Sequence, residues 1–447
     1  MAVHRYSAAT ARSLTATKFL IGRNPECKIA PFSSRARFVR RALIYFYRLI
    51  KMSKDARRRR EFLKAAGTCA LGAALCGASY GRRRTHAAAR EMLVYVGTYT
   101  SGASEGIYLY RLDLSGGALR RAGVTKGVVN PSYLTLERGR RFLYAVNEVE
   151  EFAGKKSGAV SAFAIERATG ALRLLNQRPS MGGAPCYLSA DDAGRNVLMA
   201  NYVGGNVAVL PVLKDGSLGE ASDVRQDKGS GPNRERQEGP HAHCIVLDRS
   251  NAHAYSCDLG TDRVMIYRFD ARAGKLIPNA QPWVQLKPGA GPRHLVFHPG
   301  GKFAYVMNEL DSTVTALALA RGGALKELQT MSALPLDFKG ANTGADIHVT
   351  PDGRFLYCSN RGHDSIAAFR VEARTGALSP TGHTPTGGRT PRNFAIDPTG
   401  KFLLAANQNS DTVVAFRIDP ATGGLQPTGH TADVPSPVCL KLTAPFS

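Results

Sequence analysis

From Glu91 onward one hydrophobic phrase recurs, a short run of β-branched and aromatic residues closing on a small or polar one. It reads Leu93-Val94-Tyr95-Val96-Gly97 at first, and returns at 142–147, 197–201, 254–258, 303–308, 355–360 and 402–407. The closing positions are 50, 54, 57, 50, 52 and 47 residues apart. Their mean of about 52 is a period associated with propeller blades. A second phrase follows each one, at 106–113, 158–166, 205–213, 262–270, 312–320, 364–372 and 411–419, and alternates as a half-buried strand does. Most of these run into a turn such as Thr169-Gly170-Ala171-Leu172 or Thr375-Gly376-Ala377-Leu378. A third, irregular strand comes next, then a fourth, visible at 131–136, 185–189, 241–247, 292–297, 345–349, 391–396 and 436–442.

No repeat shows a 3.6-residue period, and Gly/Pro punctuation falls too often for a helical solenoid. The pattern predicts an all-β chain: a seven-bladed β-propeller with four antiparallel strands per blade. Radial closure protects the sheet edges that an open array would expose. The phase fits, because the chain opens on the second strand of a blade and ends on a lone first strand at 438–442. The N- and C-terminal strands are therefore expected to share one blade and close the ring. Tyr95, Tyr144, Tyr255, Tyr305 and Tyr357 recur at mid-strand and read as blade packing.

Charge redraws the N-terminus. The chain of 447 residues carries 59 Lys+Arg against 35 Asp+Glu. Of these, residues 1–89 hold 20 and 3, so the body carries a net of only +7. That balance gives no electrostatic case for nucleic acid, and no apolar run reaches the roughly 18 residues of a membrane span. Arg59-Arg60-Glu61-Phe62-Leu63-Lys64, the mildly apolar stretch 65–80, the block Arg82-Arg83-Arg84 and Ala87-Ala88-Ala89 follow the order of a signal peptide. The sequence resembles a bacterial twin-arginine signal, with Arg58 where Ser or Thr usually stands. Residues 52–89 are expected to be that leader, with translation starting at Met52. Residues 1–51 are expected to be a non-native, disordered extension. The mature domain, 90–447, is placed in the periplasm, with the twin-arginine export machinery as its partner and no membrane association. It is expected to act as a monomer.

Five cysteines follow the leader, Cys186, Cys244, Cys257, Cys358 and Cys439, with no CxxC spacing to hold zinc. Cys244 and Cys257 fall on facing arms of a hairpin, so either a disulfide or two buried thiols fits, the thiols being favoured.

In such a blade the first strand lines the channel, and the loop entering it opens on the same face as the loop leaving the second strand. The residues at those places are strongly polar. His241 and His243 stand at i and i+2, one face of a strand, and Arg293 and His294, Glu309, Arg361 and Arg392 come from the blades that follow. Glu148 reaches the same mouth, and Arg236 lies beside Arg234 and Glu238 in the loop 229–240. Imidazole and carboxylate transfer protons, and converging guanidiniums hold an anion and stabilise a developing oxyanion. His243, His241, Arg293, Glu309 and Arg361 are the catalytic candidates; Glu148, Arg236, His294 and Arg392 are the candidate substrate contacts. Asn, Asp and Arg at blade corners also tie loops together, which is the structural alternative for each residue alone.

The phrases Val96-Gly97-Thr98-Tyr99-Thr100, Arg236-Gln237-Glu238-Gly239-Pro240-His241-Ala242-His243, Gly291-Pro292-Arg293-His294, Asn308-Glu309-Leu310 and Ser359-Asn360-Arg361-Gly362 resemble the lactonase family of seven-bladed propellers. That family includes a bacterial 6-phosphogluconolactonase and the fungal carboxy-cis,cis-muconate lactonizing enzyme. The resemblance spans 91–447. It implies a His, an Arg, a Glu and an Arg in successive blades, matched here by His243 (with His241 beside it), Arg293, Glu309 and Arg361. It implies no metal or other cofactor.

The leading expectation is hydrolysis of a sugar-acid lactone, with water activated by His243 or Glu309 and the anion held by Arg293 and Arg361. The Gly-x-Ser-x-Gly string at Gly102–Gly106 runs into the strand phrase at 106–113 rather than into a helix, so no nucleophile elbow supports a covalent acyl-enzyme. An imidazole base ordinarily titrates near pH 6–7. Two other readings stand beside it: a muconate-type cycloisomerase using the same groups, and a periplasmic propeller that binds a small anion without turnover.

Overall fold

The computed structural model describes residues 91–445. The leader and the extension before it lie outside the described residues. Seven four-stranded antiparallel sheets follow one another as meanders around a central channel. Blade 1 is built from Pro437–Thr443, Glu91–Thr98, Gly106–Asp113 and Leu119–Lys126, so the two ends of the domain share a sheet, with Leu93 opposite Thr443 and Val96 opposite Leu440. The innermost strands of blades 2 to 7 are Leu134–Leu136, Pro185–Ala190, Ala242–Leu247, Pro292–Phe297, Thr343–Val349 and Pro391–Ile396. The first strand of blade 2, expected from 131, is shorter and spans only Leu134–Leu136. No helix among the described residues is long and apolar enough to cross a membrane.

The recurrent apolar phrase forms the second strand of each blade, and its position explains its composition. Phe142–Asn147, Asn196–Asn201, Phe303–Asn308 and Phe402–Asn407 are buried at every residue, because both faces of the strand meet neighbouring blades. The outermost strands are more open; Leu119–Lys126 has no buried residue and carries Arg120, Arg121 and Lys126.

Adjacent blades are locked by a pair of signals that repeat together. The mid-strand tyrosines donate their buried hydroxyls to a glycine carbonyl in the outer turn of the next blade: Tyr95 to Gly170, Tyr144 to Gly216, Tyr255 to Gly323, Tyr305 to Gly376 and Tyr357 to Gly423. Gly376 has a φ of 74°, and a Cβ there would come within 2.4 Å of the Phe303 ring. That turn needs glycine for both backbone angle and space. The tyrosine hydroxyl needs a partner because it is buried.

All five described cysteines are free and buried. Cys244 and Cys257 oppose each other across the first strand pair of blade 4, and thiols stand there rather than a disulfide.

Candidate active site

One device builds the site. The innermost strands of blades 1, 3, 4, 5, 6 and 7 each carry a β-bulge near the channel mouth. The unpaired residues are Val438, Cys186, His243, Arg293, the pair Ala345–Asp346, and Arg392; in blade 2 Ser132 holds the corresponding place after Pro131. A bulge leaves one residue outside the ladder and re-aims its side chain. Of these bulged residues, Cys186, His243 and Arg392 reach the cavity at the mouth.

A second ring comes from the exits of the second strands. In four blades the asparagine closing the strand is a structural tie. Asn147, Asn201, Asn360 and Asn407 donate to the carbonyls of Val129, Ser180, Ala333 and Thr386 at the outer ends of the preceding blades. Residues that follow such a closing asparagine can face the mouth, and Glu148, Tyr202, Arg361 and, after Asn308, Glu309 do so.

The two rings enclose a cavity of about 280 Å³ lined by Glu148, Cys186, Tyr202, Arg236, His243, Glu309, Thr343, Arg361 and Arg392. Its electrostatic centre is Glu309, which is almost wholly buried and meets three guanidiniums. Oε2 receives Arg293 Nε at 2.9 Å and Arg361 Nη2 at 2.9 Å, and Oε1 receives Arg236 Nη2 at 2.6 Å. Burial alone would raise the Glu309 pKa; Arg361, Arg293 and Arg236 outweigh it and bring it to about 2. A carboxylate held so firmly in its ionised form is an anchor for cations and a poor acceptor of a proton at neutral pH.

Arg236 reaches in from the loop 229–240, where it also donates to the Tyr202 hydroxyl at 3.2 Å. The loop is fixed by Gln237, fully buried, which donates to Leu259 O and Asp262 Oδ1.

Two arginines keep unspent donors. Arg392 makes no ion pair or side-chain hydrogen bond among the described residues, and its guanidinium lies 5.5 Å from the centre of the Tyr99 ring. Burial would lower its pKa, but Tyr99, Glu148 and Glu309 together raise it, so it is cationic. Arg361 donates to Gly344 O at 2.9 Å and to Glu309, while its Nε is buried without a partner. Burial pulls Arg361 down to about 9, with Glu309 opposing and Arg293 and Arg392 reinforcing, which still leaves it charged at neutral pH. Buried donors without partners are rare and mark a place where a ligand completes the set.

The imidazole of His243 is buried against the edge of Tyr202 and the edge of His294, with ring centroids 5.5 and 5.3 Å away. Nδ1 faces Cys186 Sγ at 3.6 Å. Burial first, then the charges of Arg293, His294 and Arg392, hold its pKa well below the usual 6.5. Titration near pH 6–7 is therefore not what this environment gives; the ring is neutral throughout that range. Cys186 is pushed well above the usual thiol value by burial and by Glu148, so it is a thiol at neutral pH and lacks the thiolate character of a nucleophile. Glu148 accepts from the Tyr99 hydroxyl at 3.0 Å on each oxygen and from Ser132 Oγ.

His243, Glu309, Arg361, Glu148, Arg236 and Arg392 thus line one cavity. Three candidates stand elsewhere. His241 precedes the strand, which begins at Ala242, so the two histidines do not share a regular strand face. Its ring stacks on Tyr202, with Nδ1 at Tyr202 O and Nε2 at Glu238, and its backbone N–H caps Asp258. Arg293 is buried behind Glu309, its Nη1 spent on His294 and Ala345 O. His294 lies behind it, against Asp346. Cys186, Thr343, Tyr99 and Asp346 join the site only in the structure. Cys186 was recoverable, since it follows Pro185 as Arg293 follows Pro292. Among the described residues no group of three or more His, Cys, Asp or Glu is placed to hold a metal ion.

The family model "Lactonase, 7-bladed beta-propeller" matches residues 93–442. The 6-phosphogluconolactonase of Bacillus subtilis is 40% identical over 301 residues, 67% of this chain and 83% of that protein. The 6-phosphogluconolactonase of Formosa agariphila is 35% identical over 307 residues, 68% of this chain and 85% of its own. Among solved structures, the periplasmic gluconolactonase of Pseudomonas aeruginosa superposes with a TM-score of 0.75 at 35% identity, covering 79% of this chain and 99% of that one.

Proposed function

Because the chain belongs to the seven-bladed β-propeller lactonase family, we propose that it hydrolyses the lactone of a sugar acid, with His243 as general base. The observation that carries this reading is a neutral buried imidazole in the same cavity as two guanidiniums, Arg392 and Arg361, that retain free donors. Water attacks the ring carbonyl and gives its proton to His243. The oxyanion, and any fixed negative charge of the substrate, meets Arg361 and Arg392. Collapse breaks the ring C–O bond, and the leaving alkoxide takes the proton from His243; the carboxylic acid formed then ionises and releases a proton to solvent.

Glu309 serves as the anchor that keeps Arg236, Arg293 and Arg361 in place. Glu148, a carboxylate with acceptor capacity beyond its Tyr99 and Ser132 bonds, suits the hydroxyl donors of a sugar acid. It would repel the second carboxylate of a muconate, which sets the hydrolase above the cycloisomerase. The named activities of the Bacillus and Pseudomonas relatives support the same class.

Arg392→Ala is expected to lower kcat/KM by about 10²–10³-fold, the usual cost of an oxyanion or substrate-anion donor. Comparing glucono-δ-lactone with its 6-phosphate assigns the role. Equal losses place Arg392 at the oxyanion, a loss confined to the phosphorylated substrate places it at the phosphate, and unchanged kinetics on both reject it.

The periplasmic address is supported by the twin-arginine-like leader and by the periplasmic relative. Cells carrying Arg59→Lys with Arg60→Lys should retain the protein in the cytosolic fraction; undiminished periplasmic activity would refute export by that route.

A further inference from the structure

Behind the cavity wall lies a buried polar chain that the proposed reaction does not use. Asp346, 1% exposed and set in the double bulge of blade 6, is surrounded by donors. Its Oδ1 meets His294 Nδ1 at 2.8 Å and the Ile347 N–H at 3.0 Å. Its Oδ2 meets His348 Nε2 at 2.9 Å, Asn393 Nδ2 and the Phe394 N–H at 3.3 Å. His294 is wedged edge-on against Tyr187 and Tyr133, so its ring cannot turn freely. Its Nε2 lies 3.1 Å from Arg293 Nη1, a group that can only donate.

These contacts leave one consistent assignment of protons. Arg293 donates to His294 Nε2, so the ring proton sits on Nδ1 and is donated to Asp346. We propose that Asp346 is a positioning residue: it holds His294 as the Nδ1–H tautomer, whose bare Nε2 fixes the Arg293 guanidinium behind Glu309 and beside His243. The claim for activity rests on the lactonase reading; the claim about the tautomer does not. Burial and the Arg293 charge also bring the His294 pKa down to about 3, against the opposing pull of Asp346. The ring therefore stays neutral at any working pH, and its tautomer is the only state left to set.

Asp346→Asn tests this because an amide must turn its NH2 to one side or the other. On the Oδ2 side it would face two donors that cannot invert, against one on the Oδ1 side, the Ile347 N–H. One is the Phe394 N–H; the other is Asn393 Nδ2, held in orientation because Asn393 Oδ1 accepts from the Leu440 N–H at 2.7 Å. The NH2 should therefore face His294, move the ring proton to Nε2, and set N–H against N–H at Arg293.

Imidazole ¹⁵N NMR of the full protein at pH 7 should show His294 as Nδ1–H in the wild type and as Nε2–H in Asp346→Asn. The variant's kcat should fall about 10–100-fold, as on loss of other outer-shell partners of a reacting group, with KM within about twofold. His294→Gln, whose amide can donate to Asp346 and accept from Arg293, should recover kcat relative to His294→Leu. That pair decides the matter if Asp346→Asn does not fold. An Nε2–H signal in the wild type, an unchanged tautomer or unchanged kcat in Asp346→Asn, or His294→Gln no better than His294→Leu would each overturn the proposal. Absence of turnover in the wild type would instead reject the lactonase reading, and the two spectra would still decide the role of Asp346.

Discussion

Replacing His243 by alanine is expected to lower kcat by about 10²–10⁴-fold, the range for loss of a positioned general base, with little change in KM. The site leaves few substitutes. Glu309 is held ionised near a pKa of about 2 by Arg361, Arg293 and Arg236, and the Cys186 thiol is far above neutral. The pH profile separates this account from an ordinary histidine. A base must be deprotonated to act, and the His243 pKa is driven well below 6.5. Wild-type kcat/KM should therefore stay level as pH falls through 6.5 and decline only well below it. Stopped-flow or pH-stat rates between pH 5 and 8 check this. An acid limb centred at 6.5, or a His243→Ala protein of undiminished kcat, would remove the residue from this role.

The second large effect is expected at Glu309. Glu309→Gln keeps the shape of the side chain but takes away the charge shared by three guanidiniums, two of them buried or nearly so. Leaving buried cations without their counter-ion typically costs about 3–5 kcal/mol. The Arg236 share is smaller, because its side chain is 39% exposed and solvent screens it. Activity should fall with stability, since Arg361 and Arg236 lose the group that holds them at the cavity. The pH dependence follows from a depressed carboxylate pKa. Stability from Glu309 is fully present above its ordinary value of 4.5 and is lost as pH falls toward about 2. Urea unfolding should therefore show a wide gap between wild type and Glu309→Gln at pH 7 that narrows by pH 3. Equal stability at pH 7 with full turnover would contradict the anchoring role.

Much of this architecture was legible before any coordinate. Tyr305 and Gly376 carry the repeat because each is one half of a blade-to-blade lock, so the pattern that marks the blades also shows what joins them. The ring closure was readable from the phase of 438–442 against 91–98. The mouth residues Glu148, Glu309, Arg361 and Arg392 were readable because each occupies a fixed place in its repeat.

Depth was not readable. Arg293 and Arg392 follow a proline at the same point of their blades, yet one guanidinium is spent on Glu309, His294 and Ala345 while the other stays unpaired. That difference depends on which neighbours supply acceptors, and those neighbours come from another blade. Register was hidden for a related reason. In blade 4 the proline comes two residues early, so counting from Pro240 selects His241; Ala242 opposite Asp258 instead matches Pro292 opposite Asn308, which makes His243 the bulged residue. Asp346 escaped notice because its bulge takes two residues where the others take one.

The most direct test of the account is proton release by the purified protein, chelator present, on glucono-δ-lactone and its 6-phosphate, each measured against spontaneous hydrolysis. Saturable turnover well above the spontaneous rate is expected on at least one of the two. Proton release at the spontaneous rate on both, with a small anion raising the melting temperature, would contradict it and identify a propeller that binds its anion without turning it over.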